Sequence, residues 1–581
     1  MLGRQLPRNE ETNVSATIEK GAGDETRTAR SVDQLLAEYD TPDACVAELL
    51  CDRHDPEATA FSVVSEDEDG ALQTTALTYG ELKANSEKVA AALADLGVGE
   101  GDAVATLMGK SAELVGVMLG IWRLGAVYVP LFTAFAWPAI EMRLEGSRAK
   151  VIVSDPGQRE KISGGEAQVV VAGSGAAAES ALRAGDLQLE ELTQESEWGD
   201  RSAARVGSGA TMVVLYTSGT TGRPKGVVIP VRSLASFHQY MEIGLDMHPE
   251  DVFWNSADPG WAYGLYYGIM GPMALGLPNI LLTSAYSPTL ALRVFEECGV
   301  TNFAAAPTVY RTIRAHAAGA SGPTVLRCAS SAGEPLTPEI IEWGKSFFGS
   351  EVRDHYGQTE HGMFIVNPWH PQYRNDLRAG SMGVSLPGWD SEVLDPVDDR
   401  PMERAAAGAS SDDRMGRVAI DMSASALKWF AGYLDAPEKT AERFSSDGRW
   451  YYTGDAGKRG QDGMFYFASR DDDVVIMAGY RIGPFDVESV LVQDPEVIEA
   501  AVIGVPDDLR GEVLESYVVL RDGIPDAGTA EATTSRLQHL VKKGFAAHAY
   551  PRRIHYVAEL PKTPSGKIQR FLLRKERTTR S

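Results

Sequence analysis

A run of hydroxyl and glycine residues closed by a lysine is the stretch of this sequence best equipped for chemistry. It reads Leu215-Tyr216-Thr217-Ser218-Gly219-Thr220-Thr221-Gly222-Arg223-Pro224-Lys225-Gly226. An apolar run, Met212 to Tyr216, precedes it and Val227-Val228-Ile229 follows, so the pattern predicts a loop carried between two buried strands. Glycines let a backbone turn tightly and bring its N–H groups close to a ligand. Hydroxyls and N–H groups together form an anion-binding concavity, to which Lys225 adds positive charge. The guest that suits such a loop is a polyphosphate. A polar hairpin is the plainer alternative, but a hairpin does not need so long a hydroxyl-rich run closed by Pro-Lys-Gly. The P-loop pattern is excluded, because it needs Gly-Lys followed by Ser or Thr, and here Pro224 precedes Lys225 and Gly226 follows it.

Other stretches carry reactive groups with a plain reading beside the chemical one. Ser330-Ser331-Ala332-Gly333-Glu334-Pro335-Leu336 and Asp354-His355-Tyr356-Gly357-Gln358-Thr359-Glu360 read as strand-to-loop junctions, where ligands of open α/β sheets sit. Alone, Tyr356 to Glu360 could be any loop. Asp455 ends Trp450-Tyr451-Tyr452-Thr453-Gly454-Asp455 and, alone, reads as a turn aspartate. Asp471-Asp472-Asp473 lies between two strand-like runs, usually the mark of a solvated turn. Trp254 to Gly264 breaks the periodic pattern with aromatics and turn residues, as either core or pocket lining. Lys567 sits on a Gly-bearing loop in Leu560-Pro561-Lys562-Thr563-Pro564-Ser565-Gly566-Lys567-Ile568-Gln569-Arg570, although a lone lysine in a basic tail is usually solvated.

In this order, these stretches resemble the adenylate-forming (ANL) superfamily of acyl-CoA synthetases, luciferases and peptide-synthetase adenylation domains, over about residues 75–575. The string Gly479-Tyr480-Arg481-Ile482-Gly483-Pro484 is especially similar to medium-chain acyl-CoA synthetases, whereas Ala257-Asp258-Pro259-Gly260-Trp261 is nearer the acetyl-CoA synthetase pattern. Ser469 departs from the glycine usual at its position. The resemblance implies an AMP-forming acid–thiol ligase that joins a carboxylic acid to CoA through an acyl adenylate, with ATP, Mg²⁺ and CoA. It implies that Thr217, Ser218, Gly219, Thr220, Thr221, Gly222 and Lys225 hold phosphates. It places Gly333, Glu334, Pro335, Asp354, His355, Tyr356, Gly357, Gln358, Thr359, Arg470 and Arg481 around the nucleotide, with Asp455 on the ribose hydroxyls. Glu360 holds Mg²⁺ and is catalytic with Thr217 and Lys567; Lys567 bridges the carboxylate and the α-phosphate. Trp261, Ala262, Tyr263, Ala332 and Gly357 form the acyl pocket, Gly479 and Tyr480 meet CoA, and Asp472 is the hinge.

Acetyl-CoA synthetases carry a tryptophan at the position of Gly357 and valines at Ala262 and Ala332. The smaller residues imply a deeper pocket, suited to short-branched to medium-chain fatty or aryl acids. An acetate or propionate ligase is the alternative, as is an acid:carrier-protein ligase or stand-alone adenylation enzyme. A non-catalytic acyl-nucleotide sensor would be expected to have lost Lys567, Glu360 or Asp455, and all three are present.

Positioning these groups requires alternating elements. Thr78 and Glu81 predict a capping box opening a helix that runs through Val89, Leu93 and Leu96 and stops at Gly97. Ala103 to Met108, Val127 to Leu131, Val151 to Ser154 and Val169 to Val171 read as strands, with a helix from Ala112 to Leu124. This alternation predicts a parallel sheet covered by helices. The last hundred residues alternate strands with a helix near 531–548, a compact α+β unit. The fold class expected is α/β. The resemblance adds a large N-terminal region of two βα sandwich-type subdomains with a small distorted β-barrel, and a small mobile α+β C-terminal domain. The expected division is a flexible tail (1–30), an AMP-binding domain (31–471) and a mobile domain (472–581).

Composition narrows the partners. At 581 residues two or more domains are expected. No apolar run is long enough to span a bilayer, and no signal-peptide core opens the chain, so a cytoplasmic location is expected. The four cysteines, Cys45, Cys51, Cys298 and Cys328, lack metal-ligand spacing. A net charge of −26 argues against a nucleic-acid partner. Arginine outnumbers lysine 39 to 16, and abundant carboxylates with scarce lysine resemble halophilic composition, in which salt screens the self-repulsion of an acidic surface. An ordinary acidic enzyme from a high-GC organism is the plainer alternative.

Overall fold

The computed structural model describes residues 28–217, 224–317, 322, 326–404, 415–477, 480–507, 510–562 and 568–579. The expected tail lies almost wholly outside these residues, as does most of the Ala/Ser/Asp-rich stretch from Glu403 to Arg414.

The predicted alternation builds a seven-stranded sheet. Ala103–Leu107 pairs in parallel with Val127–Pro130 on one side and Val151–Ser154 on the other, and Gln168–Val171 extends the parallel run. Its far edge is the hairpin Thr211–Thr217 and Lys225–Pro230, paired antiparallel with Thr217 opposite Lys225. The capping box forms as predicted: Thr78 and Glu81 satisfy each other's backbone N–H at the start of helix Tyr79–Asp95. That helix packs closely on Ala112–Arg123. A Cβ on Gly120 would lie 2.6 Å from the Val89 Cγ1, so only glycine permits this approach. Trp122 from the second helix donates its indole N–H to the Met212 carbonyl at 2.9 Å, fixing the strand that leads into the hydroxyl-rich loop.

A thirteen-stranded sheet carries the remaining motifs of the large region. Its centre is parallel: Phe253–Asn255, Asn302–Ala305, Cys328–Ala332 and Val352–Gln358 lie side by side. At Val352–Gln358 the sheet changes direction, because the chain returns at once in the antiparallel strand Gly362–Val366. The antiparallel run continues through Ser381–Ser385, Phe465–Arg470, Trp450–Arg459, Gly416–Asp421 and Ser391–Leu394.

The small barrel is a correction. Among the described residues these last strands form an open extension of the large sheet. Ser381–Ser385 bonds Gly362–Val366 on one side and Phe465–Arg470 on the other, so its ladder joins the large sheet, and Ser391–Leu394 ends the path as an edge. The strand from Val352 also runs through Gln358, further than a junction at Asp354 implied, and Asp455 lies inside Trp450–Arg459, not in a turn.

Residues beyond Asp473 form a separate five-stranded sheet whose long pair, Val497–Asp507 and Gly511–Leu520, packs on helices Pro484–Leu491 and Ala527–Gly544. Val487, Leu491, Val502, Leu514, Val518, Leu537 and Val541 are its buried core. No helix among the described residues is long and apolar enough to cross a membrane.

Candidate active site

Asp455 is the best-connected group at the carboxyl end of the large sheet. It is buried on the strand Trp450–Arg459. Its Oδ2 accepts from the Tyr356 hydroxyl at 2.5 Å and the Gln358 Nε2 at 2.8 Å, and its Oδ1 accepts from the Arg470 Nη1 at 2.8 Å. The carboxylate holds the Arg470 guanidinium above its ordinary range, while burial, then the Asp455 charge, pushes the Tyr356 phenol well up. A carboxylate offers about four acceptor positions, of which three are taken, so two further hydroxyl donors fit only if Tyr356 or Gln358 gives way. Gly454 takes φ +74° within the strand, where a Cβ would stand 2.8 Å from Arg443 and 3.1 Å from Arg470.

Glu360 follows in the tight return after Gln358. It is buried, and its Oε1 accepts from the Tyr433 hydroxyl at 2.7 Å. Tyr433 in turn accepts from the Arg443 Nε at 2.9 Å. Lys225 places its ammonium 4.9 Å from the centre of the Tyr433 ring, a cation–π contact. Burial, then the Arg443 and Lys439 charges, pushes the Lys225 amine down. Arg443 stands 4.0 Å from the Glu360 carboxylate, and Lys439 is paired with Glu442, so Lys225 and Arg443 are the cations grouped at this carboxylate. Thr217 ends its strand half-buried opposite Lys225. Ser218, Gly219, Thr220, Thr221 and Gly222 lie outside the described residues. Tyr433 and Arg443 belong to no quoted motif, and only the fold brings them to Glu360.

At the neighbouring strand end, Gly333 takes φ +96° with open space where a Cβ would stand. The Glu334 carboxylate is spent elsewhere, accepting from Arg311 at 2.7 Å and Thr308 at 3.0 Å. What this strand end leaves open is the exposed Gly333 and the half-buried Pro335. Asp354 is buried, and burial pushes its carboxyl well up. Its Oδ2 accepts from the Leu336 N–H at 3.3 Å and its Oδ1 has no partner. The Thr359 carbonyl accepts from the Tyr266 hydroxyl at 2.9 Å.

His355 is corrected as a nucleotide ligand. Successive side chains of a strand point to opposite faces. Tyr356 and Gln358 reach Asp455, and His355 turns away, into a fully buried contact with Tyr240. At Gly357 a Cβ would stand 2.1 Å from the Gly362 carbonyl oxygen and 2.7 Å from the Met363 Cα, so this glycine serves the close hairpin. Ala332 is buried at its strand end, and Ala262 and Tyr263 are half-buried at the start of the next helical segment. Trp261 packs on Phe132 and Phe135, with ring centres at 5.1 and 6.1 Å.

Asp472 is exposed in the short turn Asp471–Asp473 between the last strand of the large sheet and the C-terminal unit. Tyr480 and Arg481 continue a strand opposite Met477 and Ile476, and the positions of their side chains, like Gly479 and Lys567, fall outside the described residues.

The geometry thus joins the paired strand ends at Thr217 and Lys225, a buried carboxylate near Lys225 and Arg443, and a second carboxylate held by a tyrosine, a glutamine and an arginine. Residues 51–409 match the AMP-binding enzyme family, and residues 486–567 match the AMP-binding enzyme C-terminal domain. The chain belongs to the AMP-binding enzyme family of acyl-CoA synthetases. As a member it is an AMP-forming acid–CoA ligase that uses ATP and CoA. It is 34% identical over 507 residues to an acetyl-coenzyme A synthetase of Bacillus subtilis, covering 86% of this chain and 84% of the relative. It is 32% identical to a human mitochondrial acyl-coenzyme A synthetase over 86% of this chain and 83% of that one. The structure of a Brucella canis acyl-CoA synthetase superposes with a TM-score of 0.70 at 39% identity, covering 95% of this ligase and 98% of the other chain.

Proposed function

We propose that this ligase activates short-branched to medium-chain fatty or aryl acids, binding the nucleotide on the Tyr356–Gln358 face and the acid beside Ala262, Tyr263 and Ala332. The observation that carries the acid assignment is the pair of alanines, Ala332 buried at its strand end and Ala262 half-buried beside a half-buried tyrosine. Trp261 does not refill that space in the proposal, because its ring packs on Phe132 and Phe135. With Gly357 facing backbone, the deeper pocket rests on the two alanines alone.

The acid's carboxylate attacks the α-phosphorus of ATP and pyrophosphate leaves, giving the acyl adenylate. Negative charge grows on the phosphate oxygens, and preplaced cations lower that barrier. In the proposal Lys225, with the hydroxyl-rich loop from Thr217 to Gly222, takes the β- and γ-phosphates. Asp455 takes the ribose, exchanging one of its present donors, and Gly333 to Pro335 line the base by their backbone. Lys567 bridges carboxylate and α-phosphate. Glu360 suits Mg²⁺, since a single buried carboxylate can share this hard cation with phosphate oxygens and water, and its Tyr433 bond leaves a second oxygen. Bound there, Mg²⁺ would offset charge on the nucleotide phosphates. CoA then attacks the mixed anhydride through its thiol and AMP leaves. Turning the C-terminal unit about Asp472 would withdraw Lys567 and bring Gly479 and Tyr480 to the pantetheine, so that one site serves two half-reactions.

The composition further supports an enzyme of salt-rich cytoplasm. The test is AMP formation with ATP, Mg²⁺ and CoA across straight, branched and aromatic acids from acetate upward, in molar KCl and in dilute buffer. CoA-dependent turnover peaking beyond acetate, and higher in salt, is expected. A peak at acetate would overturn the acid assignment, pyrophosphate release indifferent to CoA the thiol assignment, and equal activity and stability in dilute buffer the halophilic one.

A further inference from the structure

The acid-pocket side of the strand Val352–Gln358 contains a hydrogen-bond chain whose direction is fixed at its buried end. The His355 Nε2 lies 3.0 Å from the Asn367 carbonyl oxygen, and its Nδ1 lies 2.6 Å from the Tyr240 hydroxyl. The Tyr240 hydroxyl lies 3.1 Å from that of Tyr263. Burial pushes the imidazole down to about 3, so the ring is neutral and carries one N–H. A carbonyl oxygen can only accept, so that N–H stands on Nε2 and Nδ1 is an acceptor. Tyr240 must then donate to His355. Its oxygen, left as an acceptor, receives the Tyr263 proton. Reversing either link would leave two lone pairs or two protons facing each other in a buried site.

Tyr263 is thereby committed. Its proton points inward, and its oxygen keeps acceptor capacity only. Tyr240 and His355 are fully buried, whereas Tyr263 is half-buried beside half-buried Trp261 and Ala262, so Tyr263 is where this chain meets the cleft. Its place is held at both ends. The Asn255 Nδ2 donates to its backbone carbonyl at 3.3 Å, and the Tyr267 ring packs edge-on against it with centres at 5.5 Å.

We infer that Tyr263 is a specificity-determining residue that accepts a hydrogen bond from the acyl group, so that the ligase favours acids bearing an O–H or N–H donor over equally sized acids bearing only an acceptor. The inference rests on the proposal that Trp261 to Tyr263 line the acid pocket. A wall that can only accept leaves a substrate carbonyl facing lone pairs, whereas a substrate hydroxyl satisfies both partners.

The test uses the full-length enzyme and matched pairs of hydroxy and oxo acids of four to eight carbons, with kcat/KM for AMP formation read for each. In the wild type at least one hydroxy acid should exceed its oxo partner by about tenfold, the worth of one well-made hydrogen bond. Tyr263→Phe should bring that ratio to about one. Tyr240→Phe should reverse it, because the Tyr263 proton, deprived of its inward acceptor, becomes available to the cleft and oxo acids gain. Absence of any hydroxy preference in the wild type would overturn the inference, as would a ratio unmoved by both variants. Tyr263→Ala separates the two levels. A changed acid profile with an unmoved hydroxy-to-oxo ratio in Tyr263→Phe overturns the hydrogen-bond inference alone. An unchanged profile in Tyr263→Ala shows that Tyr263 does not line the pocket and overturns the pocket assignment with it.

Discussion

The two faces of the strand Val352–Gln358 are built on different principles. On one, Tyr356 and Gln358 converge with Arg470 on a carboxylate, and every contact is a charge-assisted or polar bond between groups the motifs contain. On the other, His355, Tyr240 and Tyr263 form a neutral chain, and the shape of the space depends on alanines and on how tightly a hairpin closes. In the proposed function the first face recognises a constant partner, since ATP never changes, and the second fits an acid through residues that act by size and by which lone pairs they leave exposed. Charge chemistry is carried by residue identity, whereas pocket shape is carried by three-dimensional packing.

The largest expected effect lies outside both faces. Lys567→Ala should lower adenylate formation about 10²- to 10³-fold, the usual worth of one transition-state donor, while thioester formation from a supplied acyl adenylate stays within about twofold. Single-turnover assays of each half-reaction read this directly, and equal loss in both steps would show that Lys567 does not serve adenylation alone. Next comes Asp455→Ala. It removes the proposed ribose acceptor and leaves Arg470 without its carboxylate, so kcat/KM for ATP should fall about 10²-fold. An unchanged ATP dependence would place the ribose elsewhere.

Gly357→Trp sharpens the contrast on the second face. The side chain must displace the backbone at Gly362 and Met363, so stability should fall by about 1–3 kcal/mol in a denaturant titration. A stable variant shifted toward acetate would instead restore Gly357 as a pocket wall.

The segments proposed to bind the nucleotide were legible because their motifs follow one another in order. Thr217 ends a strand of the seven-stranded sheet, Ala332 and Tyr356 lie on strands in the parallel centre of the thirteen-stranded sheet, and Asp455 lies in its antiparallel extension, each in a run that is separate in sequence. The Thr78–Glu81 box set a helix start for the same reason, a local pattern with a local cause. What escaped was non-local. Tyr433 and Arg443 reach Glu360 only through the folded antiparallel extension. His355 and Gly357 sit in a correctly placed segment, yet their roles follow from strand alternation and from the return at Gly362, neither of which a residue string displays. The expected barrel failed similarly, because joining the large sheet uses the edge that closure requires.

The second face also predicts a pH dependence. Burial holds His355 neutral down to about 3, whereas the unfolded chain takes up a proton near 6.5. Below pH 6.5 the unfolded state therefore binds more protons than the native state. The stability gained by keeping this ring neutral is fully present above 6.5 and is lost as pH falls toward 3, by up to about 1.4 kcal/mol per pH unit. His361, buried among aromatic rings with the Tyr451 ring centre at 4.4 Å, is likewise pushed down to about 3 and adds a second proton. Denaturant titrations between pH 7 and 4 should show a shallower slope in His355→Gln by about one proton, and an identical slope would remove His355 from this account.

The central claim, that one strand separates nucleotide recognition from acid recognition, is tested most directly by ATP–pyrophosphate exchange measured against both substrates in Gln358→Leu and Ala262→Leu. The expected result is a raised KM for ATP alone in Gln358→Leu and a raised KM for medium-chain acid alone in Ala262→Leu. Comparable movement of both constants in either variant would contradict it.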